Sequence, residues 1–431
     1  MRLAYTLLLY LAAPFALLRL LWKSRQLAGY RGRIGERFGF VPPAPGEGVA
    51  VWVHAVSVGE ALAAQPLIEA LIARHGERRV WVTSTTPTGS ARVVAAFGDR
   101  VLHSYAPYDL PDVVGRFLGR VRPGRFVVME TELWPNLFRA CAVRGIPLTI
   151  ANARLSPRSF RGYGRVRGFM RDTLSDVTMV AAQSKSDAAR FRTLGGRRER
   201  VRVIGNLKFD LALPGPSIDD GRRLRARFGP RPAWIAASTH DGEEAAALAA
   251  HAAVLELQPD ALLLLVPRHP QRFGAVWSLI EEAGLAGERR SRLAALDKSG
   301  HAPDLAEVQV FLGDSMGEMF LYLAMADVAF VGGSLAPVGG HNVLEPAALG
   351  LPVLFGPQMH NFVAARELLL ERDAAIEVAD AAQLAEELAV LLAHPERCRA
   401  MGEAGSAAVA GNRGALKRLL TLIEAQIPAH A

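Results

Sequence analysis

The sequence predicts an α/β protein of two doubly wound domains that face a cleft, preceded by an N-terminal membrane-anchor helix. Three observations support this class. A chain of 431 residues is too long for one ordinary core. From Val49 onward, short β-rich runs alternate with helical segments, which is the βαβ rhythm of a mostly parallel sheet. Before that point, the chain begins with an almost wholly apolar segment.

The apolar segment covers residues 3–22, LAYTLLLYLAAPFALLRLLW, and is interrupted by Pro14 and Arg19. It is marginal for a bilayer span, which needs about 20 apolar residues. No convincing small-x-small cleavage site precedes Lys23, so we expect the segment to be retained. The basic flank from Lys23 to Arg37 predicts that the following chain is cytoplasmic. Residues 1–25 are therefore expected to be a membrane anchor. A buried core helix is the alternative, and spanning or interfacial placement stays open.

Composition indicates an anionic partner in a reducing compartment. The net charge of +8 comes mostly from arginine, and an anionic membrane surface or a phosphorylated substrate would fit it. Nucleic acid is disfavoured, because no basic run is interleaved with aromatic residues. Cys141 and Cys398 lie far apart and match neither a metal site nor a disulfide framework.

The first domain is predicted over 35–211 and the second over 233–410. A stretch rich in proline, glycine and charge, 212–232, is typical of a linker. Helices are expected after Asp380, ending with a C-terminal helix over 411–431. Strands are predicted over 49–56, 78–85, 125–132, 146–153, 178–184 and 200–206, then over 233–239, 261–267, 308–313, 327–333 and 352–356. Open α/β sheets bind ligands outside the carboxyl ends of their strands, so we expect ligands there.

The first strand runs into HAVSVGE, residues 54–60, where Ser57 and Glu60 have the spacing of a helix-capping box. Glu60 is therefore either a cap or a general base. In the second interpretation, Gly59 leaves room for a substrate and the helix N-terminus favours the ionised carboxylate.

Two further motifs end strands of the first domain. In METELWPN, residues 129–136, we expect Glu130 and Glu132 to lie on opposite faces of the strand end, so that only one of them faces the cleft. Glu132 is the choice, because Glu130 falls within the predicted strand. An ion pair with an arginine is the alternative for Glu132. In GNLKFD, residues 205–210, Lys208 could neutralise a carboxylate or phosphate, or be a solvated surface lysine.

The second domain carries comparable strand ends. Ser238, Thr239 and His240 follow one strand, where they fit either substrate contacts or helix caps. Arg268 and His269 lie between two prolines after the next strand and fit phosphate or carboxylate binding, with a solvated surface position as the alternative. The loop Ser315, Met316, Gly317 and Glu318 offers a second capping box and a helix N-terminus that could bind an anion.

The stretch 331–362, VGGSLAPVGGHNVLEPAALGLPVLFGPQMHNF, predicts a nucleotide pocket. Gly332, Gly333 and Gly340 would let the backbone approach a ligand, and a helix opened by His341 and Asn342 would present N–H groups to a phosphate. Glu345, one turn in, could hold a ribose diol. The alternative is a tight connection in which the glycines only serve turns.

Taken together and in order, HAVSVGE, ETELWPN, GNLKFD, PRHP, DSMGEM and GGHNVLEPAALGLPVLFGPQMHNF resemble one family. The chain is similar to the 3-deoxy-D-manno-octulosonic acid (Kdo) transferases, membrane-anchored glycosyltransferases of Gram-negative bacteria. The resemblance extends from the N-terminal anchor to about Phe362, and no motif residue departs from the family pattern.

This resemblance implies a GT-B fold of two Rossmann-like domains at the cytoplasmic face of the bacterial inner membrane. It implies CMP-Kdo as the donor, the tetra-acylated lipid A precursor lipid IVA as the acceptor, and an inverting displacement that needs no metal or other cofactor. Glu60 then corresponds to the general base, and Glu132 and Lys208 to active-site residues.

The remaining sites are implied as donor or acceptor contacts. Ser57, Gly59, Arg161 and Arg165 are expected to bind acceptor. Arg268 and His269 would face the donor's phosphate or carboxylate, and Glu345 its ribose. The other donor contacts expected are Ser238, Thr239, Ser315, Met316, Gly317, Glu318, Gly332, Gly333, Gly340, His341 and Asn342.

Two alternatives remain open at this point. Another sugar-nucleotide enzyme, an isomerase or epimerase, could use the same two-domain fold, since fold does not fix the reaction. A non-catalytic, membrane-bound nucleotide-binding module is the other.

Overall fold

The computed structural model describes residues 1–25, 28–298 and 304–426. The chain divides into two compact units. The first unit comprises residues 1–210 and the C-terminal residues from 412, and the second comprises 211–411.

The first unit is built on a seven-stranded parallel sheet whose order is β3-β2-β1-β4-β5-β6-β7. Its strands are β1 (Val51–His54), β2 (Val80–Ser84), β3 (Leu102–Tyr105), β4 (Phe126–Met129), β5 (Leu148–Ala153), β6 (Met179–Ala182) and β7 (Val201–Val203). Its helices are α1 (Arg2–Lys23), α2 (Ile34–Arg37), α3 (Val58–His75), α4 (Pro87–Phe97), α5 (Pro111–Val121), α6 (Pro135–Val143), α7 (Pro157–Gly164), α8 (Arg167–Ser175) and α9 (Lys185–Thr193), completed by a C-terminal helix.

The second unit repeats this plan with the order β10-β11-β9-β8-β12-β13-β14, again all parallel. Its strands are β8 (Ala233–Thr239), β9 (Leu262–Pro267), β10 (Gly287–Arg289), β11 (Val310–Leu312), β12 (Val328–Val331), β13 (Val353–Phe355) and β14 (Ala375–Glu377). Its helices are α10 (Gly215–Ala226), α11 (Glu243–Leu257), α12 (Phe273–Glu282), α13 (Arg290–Lys298), α14 (Met319–Leu323), α15 (Leu344–Ala348), α16 (Val363–Glu371), α17 (Ala381–Ala393) and α18 (Pro395–Gly411).

In each sheet, the strand order reverses around the first strand of the unit. In the first unit, β1 leads to β2 and β3 on one side, and the chain then returns to β4 on the other side. In the second unit, β8 leads to β9, and the chain returns later to β12 on the opposite side of β8. Loops diverge at such a reversal and leave a crevice at the carboxyl edge. The pairs β1/β4 and β8/β12 therefore mark the positions where each unit can bind a ligand.

Three strands were not predicted from the sequence, namely β3, β10 and β14. All three lie at sheet edges. Their sequences, LHSY, GER and AIE, lack the continuous apolar run of the central strands, because an edge strand is covered less completely. The predicted strands are present: β8 has the predicted bounds, and each of the others is shortened by one or more residues.

The stretch expected to be a linker contains a helix. Residues 215–226 form α10, which buries Ile218 and Leu224. Gly221 lies so close to α14 that a Cβ atom would meet the carbonyl oxygen of Leu321. The segment therefore packs as part of the second unit.

The C-terminal helix α19 (Ala415–Glu424) returns to the first unit. The carboxylate of Asp210 accepts hydrogen bonds from the N–H groups of Gly414 at 2.5 Å and Leu416 at 2.7 Å. Leu419 and Ile423 are buried with the residues of α3. Of the C-terminal helix predicted over 411–431, the residues beyond 426 lie outside the described part of the chain.

Helix α1 lies against the first unit through its polar side chains. Arg2 pairs with Asp176 at 2.9 Å, and the hydroxyl of Tyr5 donates to Asp109 at 2.9 Å. Thr6 and Tyr10 also form hydrogen bonds to this unit. The opposite face is apolar and exposed, and includes Leu3, Leu7, Leu8, Leu11, Phe15, Leu18, Leu21 and Trp22.

No residue of α1 is buried, although most of the helix is apolar. By length and composition, it is the one helix among the described residues that could cross a membrane. A contiguous exposed apolar face of this kind marks an interaction surface. The expected N-terminal apolar helix is thus present, and its outward face is free to meet an apolar phase.

Candidate active site

Glu60 lies in the first turn of α3, at the strand-order reversal between β1 and β4. Ser57 is the N-cap residue, and its hydroxyl accepts a hydrogen bond from the Glu60 N–H at 3.4 Å. The Glu60 carboxylate accepts from the Val56 N–H at 2.9 Å. The capping interaction predicted from the sequence therefore exists, and it fixes the carboxylate at the carboxyl end of β1.

The ionisation of Glu60 differs from that of a simple surface cap. Burial, assisted by the negative charges of Glu130 and Glu132, raises the pKa of Glu60 from 4.5 to about 7. The hydrogen bonds from Val56 and Ser57 oppose this rise without cancelling it. A carboxylate with a pKa near neutrality is suited to general acid–base chemistry, since it can both accept and release a proton.

The neighbouring motif brings two carboxylates to this site, which corrects the sequence interpretation. Strand β4 ends at Met129, so Glu130 lies after the strand with a left-handed backbone (φ +56°) and not within it. Its negative charge acts to raise the pKa of Glu60, Glu132 and Lys208. The prediction that Glu130 falls within the strand was therefore wrong. The expectation that Glu130 and Glu132 lie on opposite faces was also wrong, because residues two apart in a strand share a face.

Lys208 belongs to the same group. It is half-buried in the turn that follows β7, and burial lowers its pKa while the Glu130 carboxylate opposes that change. Burial likewise raises the pKa of Glu132. Three carboxylates and one ammonium group thus lie within electrostatic reach, in a partly desolvated position. Such clustering of shifted groups is typical of functional sites.

Gly59 provides open space beside Glu60. A Cβ atom built there would meet only the Ser57 hydroxyl, at 3.9 Å. No packing contact in the described residues therefore requires glycine at this position, which lies in a helix where alanine is intrinsically preferred. A bound molecule that approaches the start of α3 would explain the missing side chain.

Arg161 and Arg165 lie at the end of α7 and are exposed. Tyr163 stands between them in sequence, and the Glu132 charge raises its pKa in addition to the larger effect of burial. The ring of Tyr163 packs against the core of the first unit. Arg161 lies on the helix that carries Tyr163 within electrostatic reach of Glu132, and Arg165 directly follows that helix.

In the second unit, histidines meet at the reversal between β8 and β12. The Nε2 atoms of His240 and His341 are 2.8 Å apart, and their rings are stacked with centroids 5.0 Å apart. His269, which follows β9, contacts the His240 ring edge-on at a centroid distance of 5.1 Å. This places the predicted residues of three adjacent strand ends together.

The charges of the histidine cluster favour binding of an anion. Burial, assisted by the positive charges of His240, Arg268 and His269, lowers the pKa of His341 to about 4. Burial also lowers the pKa of His240. A bound phosphate or carboxylate would offset this mutual repulsion. No three His, Cys, Asp or Glu side chains converge as a metal site would require, within the ranges that the structure describes.

Asn342 and Glu345 form a pair beside this cluster. The Asn342 side-chain amide donates to the Glu345 carboxylate at 3.0 Å, and its oxygen accepts from the Leu344 N–H at 3.1 Å. Burial raises the pKa of Glu345, and the charge of Arg268 opposes the rise. Helix α15 begins at Leu344 and has five residues, so the prediction that His341 opens it was wrong.

The glycines of this region are explained by protein contacts. A Cβ atom on Gly332 would meet the Ser238 carbonyl oxygen at 2.8 Å. One on Gly333, which has φ +67°, would meet the His341 ring at 2.9 Å. One on Gly340, which has φ +77°, would collide with Met359. Side chains of this stretch, and not its glycines, are therefore the better candidates for ligand contacts.

The remaining predicted donor contacts divide into two groups. Ser238 has a left-handed backbone (φ +57°), and the buried Thr239 hydroxyl donates to Glu244 at 3.3 Å. Both lie at the end of β8. In the loop after β11, Met316 and Gly317 form an exposed tip.

Ser315 and Glu318 bond within their own loop. The Ser315 hydroxyl contacts the Tyr322 hydroxyl at 2.5 Å as well as the Glu318 carboxylate, which also holds Arg290 at 2.9 Å. Helix α14 begins at Met319 with Glu318 as its N-cap, so the predicted capping box from Ser315 to Glu318 was wrong. The order of polar residues matched the motif, but the helix starts three residues later.

Sequence reasoning also missed Glu243. This buried residue of α11 accepts hydrogen bonds from five backbone N–H groups, four of them in the segment 333–336. The sequence signal was present in HDGEE, where two adjacent acidic residues follow a strand end. Acidic residues are ordinary in a first helical turn, so that signal alone did not indicate a buried carboxylate.

The geometry can be compared with known proteins. A model of the 3-deoxy-D-manno-octulosonic-acid transferase (Kdo transferase) family matches residues 32–211. The 3-deoxy-D-manno-octulosonic acid transferase of Haemophilus influenzae is 42% identical over 432 residues, which cover 98% of each chain. The chain belongs to the Kdo transferase family. This membership confirms the predicted family and the prediction of a glycosyltransferase.

Two solved structures add to this picture. The C-terminal CMP-Kdo binding domain of WaaA from Acinetobacter baumannii is 34% identical, covering 45% of the Kdo transferase chain and 98% of that domain, with a TM-score of 0.41. The UDP-GlcNAc 2-epimerase of Neisseria meningitidis aligns over 87% of this chain and 100% of its own, with 15% identity and a TM-score of 0.56. The second likeness shows the fold alone, and the predicted GT-B class is confirmed.

Proposed function

We propose that this Kdo transferase moves Kdo from CMP-Kdo to a hydroxyl group of the lipid A precursor lipid IVA, by an inverting displacement in lipopolysaccharide biosynthesis. The observation that carries the proposal is Glu60, a carboxylate with a pKa of about 7 beside the open space at Gly59. A transferase needs a base for the acceptor hydroxyl, and a site with space for that hydroxyl.

The chemistry follows from the groups in each unit. Glu60 accepts the proton of the acceptor hydroxyl as its oxygen forms a bond to the anomeric carbon of Kdo. The bond from that carbon to the phosphate oxygen breaks, and CMP leaves with the bonding electrons. Attack opposite to the leaving group inverts the anomeric centre. Lys208 offsets the negative charge that Glu130 places near the base.

The donor is assigned to the second unit because its cationic and neutral groups match CMP-Kdo. That donor carries one phosphate and one carboxylate. Arg268 with His240, His269 and His341 can bind these anions and stabilise charge on the departing CMP. Asn342 and Glu345 supply hydrogen-bonding groups for the ribose. This charge balance needs no metal or other cofactor.

The acceptor is assigned to the first unit, at a membrane surface. Lipid IVA is acylated and doubly phosphorylated, and the exposed Arg161 and Arg165 can bind its phosphates beside the Glu132 group. The outward apolar face of α1 supports contact with the bilayer, and the basic residues that follow α1 favour its cytoplasmic, anionic leaflet. We therefore assign the enzyme to the cytoplasmic face of the inner membrane.

The proposal is tested with purified full-length protein, CMP-Kdo generated in situ and lipid IVA, with products identified by mass spectrometry. The wild-type protein should add Kdo to the lipid, and E60Q should bind CMP normally yet form no product. A wild-type rate in E60Q would contradict the base assignment. Turnover of a sugar nucleotide without any lipid would instead favour the epimerase alternative, and absence of transfer by the wild type would favour a binding module.

A further inference from the structure

Glu243 is the first residue of α11 and is almost completely buried, with 2% of its surface exposed. One carboxylate oxygen accepts from the N–H groups of His240 at 2.9 Å and Gly333 at 2.7 Å. The other accepts from Ser334 at 3.0 Å, Leu335 at 2.9 Å and Ala336 at 3.1 Å. Five backbone donors therefore converge on one side chain.

This arrangement fixes the path of the segment 333–336. A carboxylate that accepts several backbone N–H groups forms strong, charge-assisted hydrogen bonds. Removing the acceptor would leave buried N–H groups without partners, which is costly. Gly332 fits the same cradle, because a Cβ atom there would lie 2.9 Å from the Glu243 carboxylate. The segment consequently has little freedom to take another course.

The same carboxylate fixes the positions of both histidines, His240 and His341. It binds the N–H group of His240 directly. It also binds Gly333, and the Gly333 backbone lies against the His341 ring, where an added Cβ atom would be 2.9 Å away. The 2.8 Å approach of the two Nε2 atoms thus depends on two chain segments that share one acceptor.

A second consequence concerns the N–H groups themselves. Glycine-rich turns commonly direct their N–H groups at a phosphate. In this chain, the N–H groups of residues 333–336 point at Glu243. Those of Gly339 and Gly340 bond to the carbonyl oxygen of Gly333. These backbone groups are therefore already occupied before any ligand binds.

We propose that Glu243 is a positioning residue of the donor site. It fixes the relative positions of His240 and His341. It also binds the N–H groups of residues 333–336, so that these groups are not available to the ligand and side chains bind the donor's phosphate and carboxylate. This inference rests on the proposed function, because it takes the second unit as the CMP-Kdo site.

The chain offers a matched control in Glu244. This residue follows Glu243 in the same helical turn and is fully buried. Its carboxylate, however, holds Arg272 at 3.0 and 3.1 Å and accepts from Thr239, with no contact to the segment 333–336 among the bonds that the described residues form. A substitution at Glu244 therefore removes a buried charge, whereas a substitution at Glu243 also removes the contacts that position the segment 333–336.

The test uses E243Q and E244Q in the full-length protein. Glutamine has the size of glutamate, but its NH2 group would face the N–H donors that the carboxylate binds. E243Q should weaken CMP binding about tenfold or more in calorimetry, and raise the KM for CMP-Kdo with the KM for lipid acceptor unchanged. E244Q should lower the melting temperature while changing CMP affinity less than about twofold.

Wild-type CMP affinity in E243Q, or equal weakening in both variants, would overturn the inference. If E243Q does not fold, G333A provides the second variant. Its added Cβ atom displaces His341 without removing the carboxylate, and it should weaken CMP binding in the same way. Failure of wild-type protein to bind CMP would refute the donor assignment itself. Amide hydrogen exchange of residues 333–336 in E243Q would still show whether Glu243 fixes the segment, and unchanged protection would contradict that part.

Discussion

Replacing Glu60 by glutamine should abolish transfer and, at alkaline pH, make the protein more stable. The carboxylate is costly when ionised, since burial and the charges of Glu130 and Glu132 raise its pKa from 4.5 to about 7. Glutamine has nearly the same shape and can still accept the hydrogen bond that the Val56 N–H donates at 2.9 Å. It carries no charge, so this cost disappears.

The sign and size follow from proton linkage. Between about pH 4.5 and 7, the folded protein keeps a proton on Glu60 that the unfolded chain has released. The free energy of unfolding of the wild type therefore falls as pH rises through this window. A pKa difference of this size corresponds to roughly 3 kcal/mol. We expect E60Q and wild type to be nearly equal at about pH 4.5, and E60Q to be more stable by about 3 kcal/mol at about pH 8.

The assay is thermal unfolding of both full-length proteins at about pH 5 and 8. For a unit of this size, each kcal/mol shifts the melting temperature by about 2–4 °C, so a gain of several degrees is expected at the higher pH. E69Q is a control on the same helix. Glu69 pairs with Arg100 at 2.8 Å, which lowers its pKa, so E69Q should lose about 0–1 kcal/mol at pH 8.

An equal loss of stability in E60Q at both pH values would refute this reasoning. That result would mean that the ionised carboxylate stabilises the N-terminus of α3, and that Glu60 acts as a cap only.

Three further predictions concern the acceptor space, the donor site and the anchor. G59A should keep or slightly raise the melting temperature, because its Cβ atom meets no packed neighbour, yet lower kcat/KM for lipid acceptor about tenfold; unchanged kinetics would show that no substrate uses this space. CMP should bind more tightly at about pH 6 than at 7.5, with uptake of protons, because a bound anion raises the lowered pKa values of His240 and His341. Calorimetry in buffers of different ionisation enthalpy measures this uptake, and binding heats that do not depend on the buffer would contradict the prediction. L8K/L11K, on the outward face of α1, should release the full-length protein from sedimented membranes, since each charge costs about 2.5–3.5 kcal/mol in an apolar phase; complete sedimentation would show that α1 is not the anchor.

The sequence predicted the positions of the central strands and of the motifs that follow them, because these features are coded locally. The apolar runs of the central strands, the Ser57 to Glu60 spacing and the glycine pairs are all visible without a structure. Parallel strands bring their carboxyl ends to one edge, so motifs far apart in sequence could be grouped. A relative that covers 98% of the chain confirms the family that these motifs indicated.

The features that were missed depend on tertiary contacts. Whether Glu130 belongs to a strand was decided by its left-handed backbone, which no local pattern indicated. The five donors of Glu243 come from two segments almost a hundred residues apart, so a buried acceptor looked like an ordinary first-turn acid. Edge strand β3 is only partly covered, and its polar residues hid it.

The central claim, that Glu60 is the base and that its neighbours set its pKa, is tested most directly by the pH dependence of kcat/KM for lipid acceptor at saturating donor. At saturating donor, this quantity reports the ionisation of the essential base in the enzyme–donor complex that meets the acceptor. The wild type should lose activity as the pH falls below the Glu60 pKa of about 7. E130Q should lower that pKa, because it removes one of the charges that raise it. A profile that is flat from about pH 5 to 9, or a pKa that E130Q leaves in place, would contradict the account.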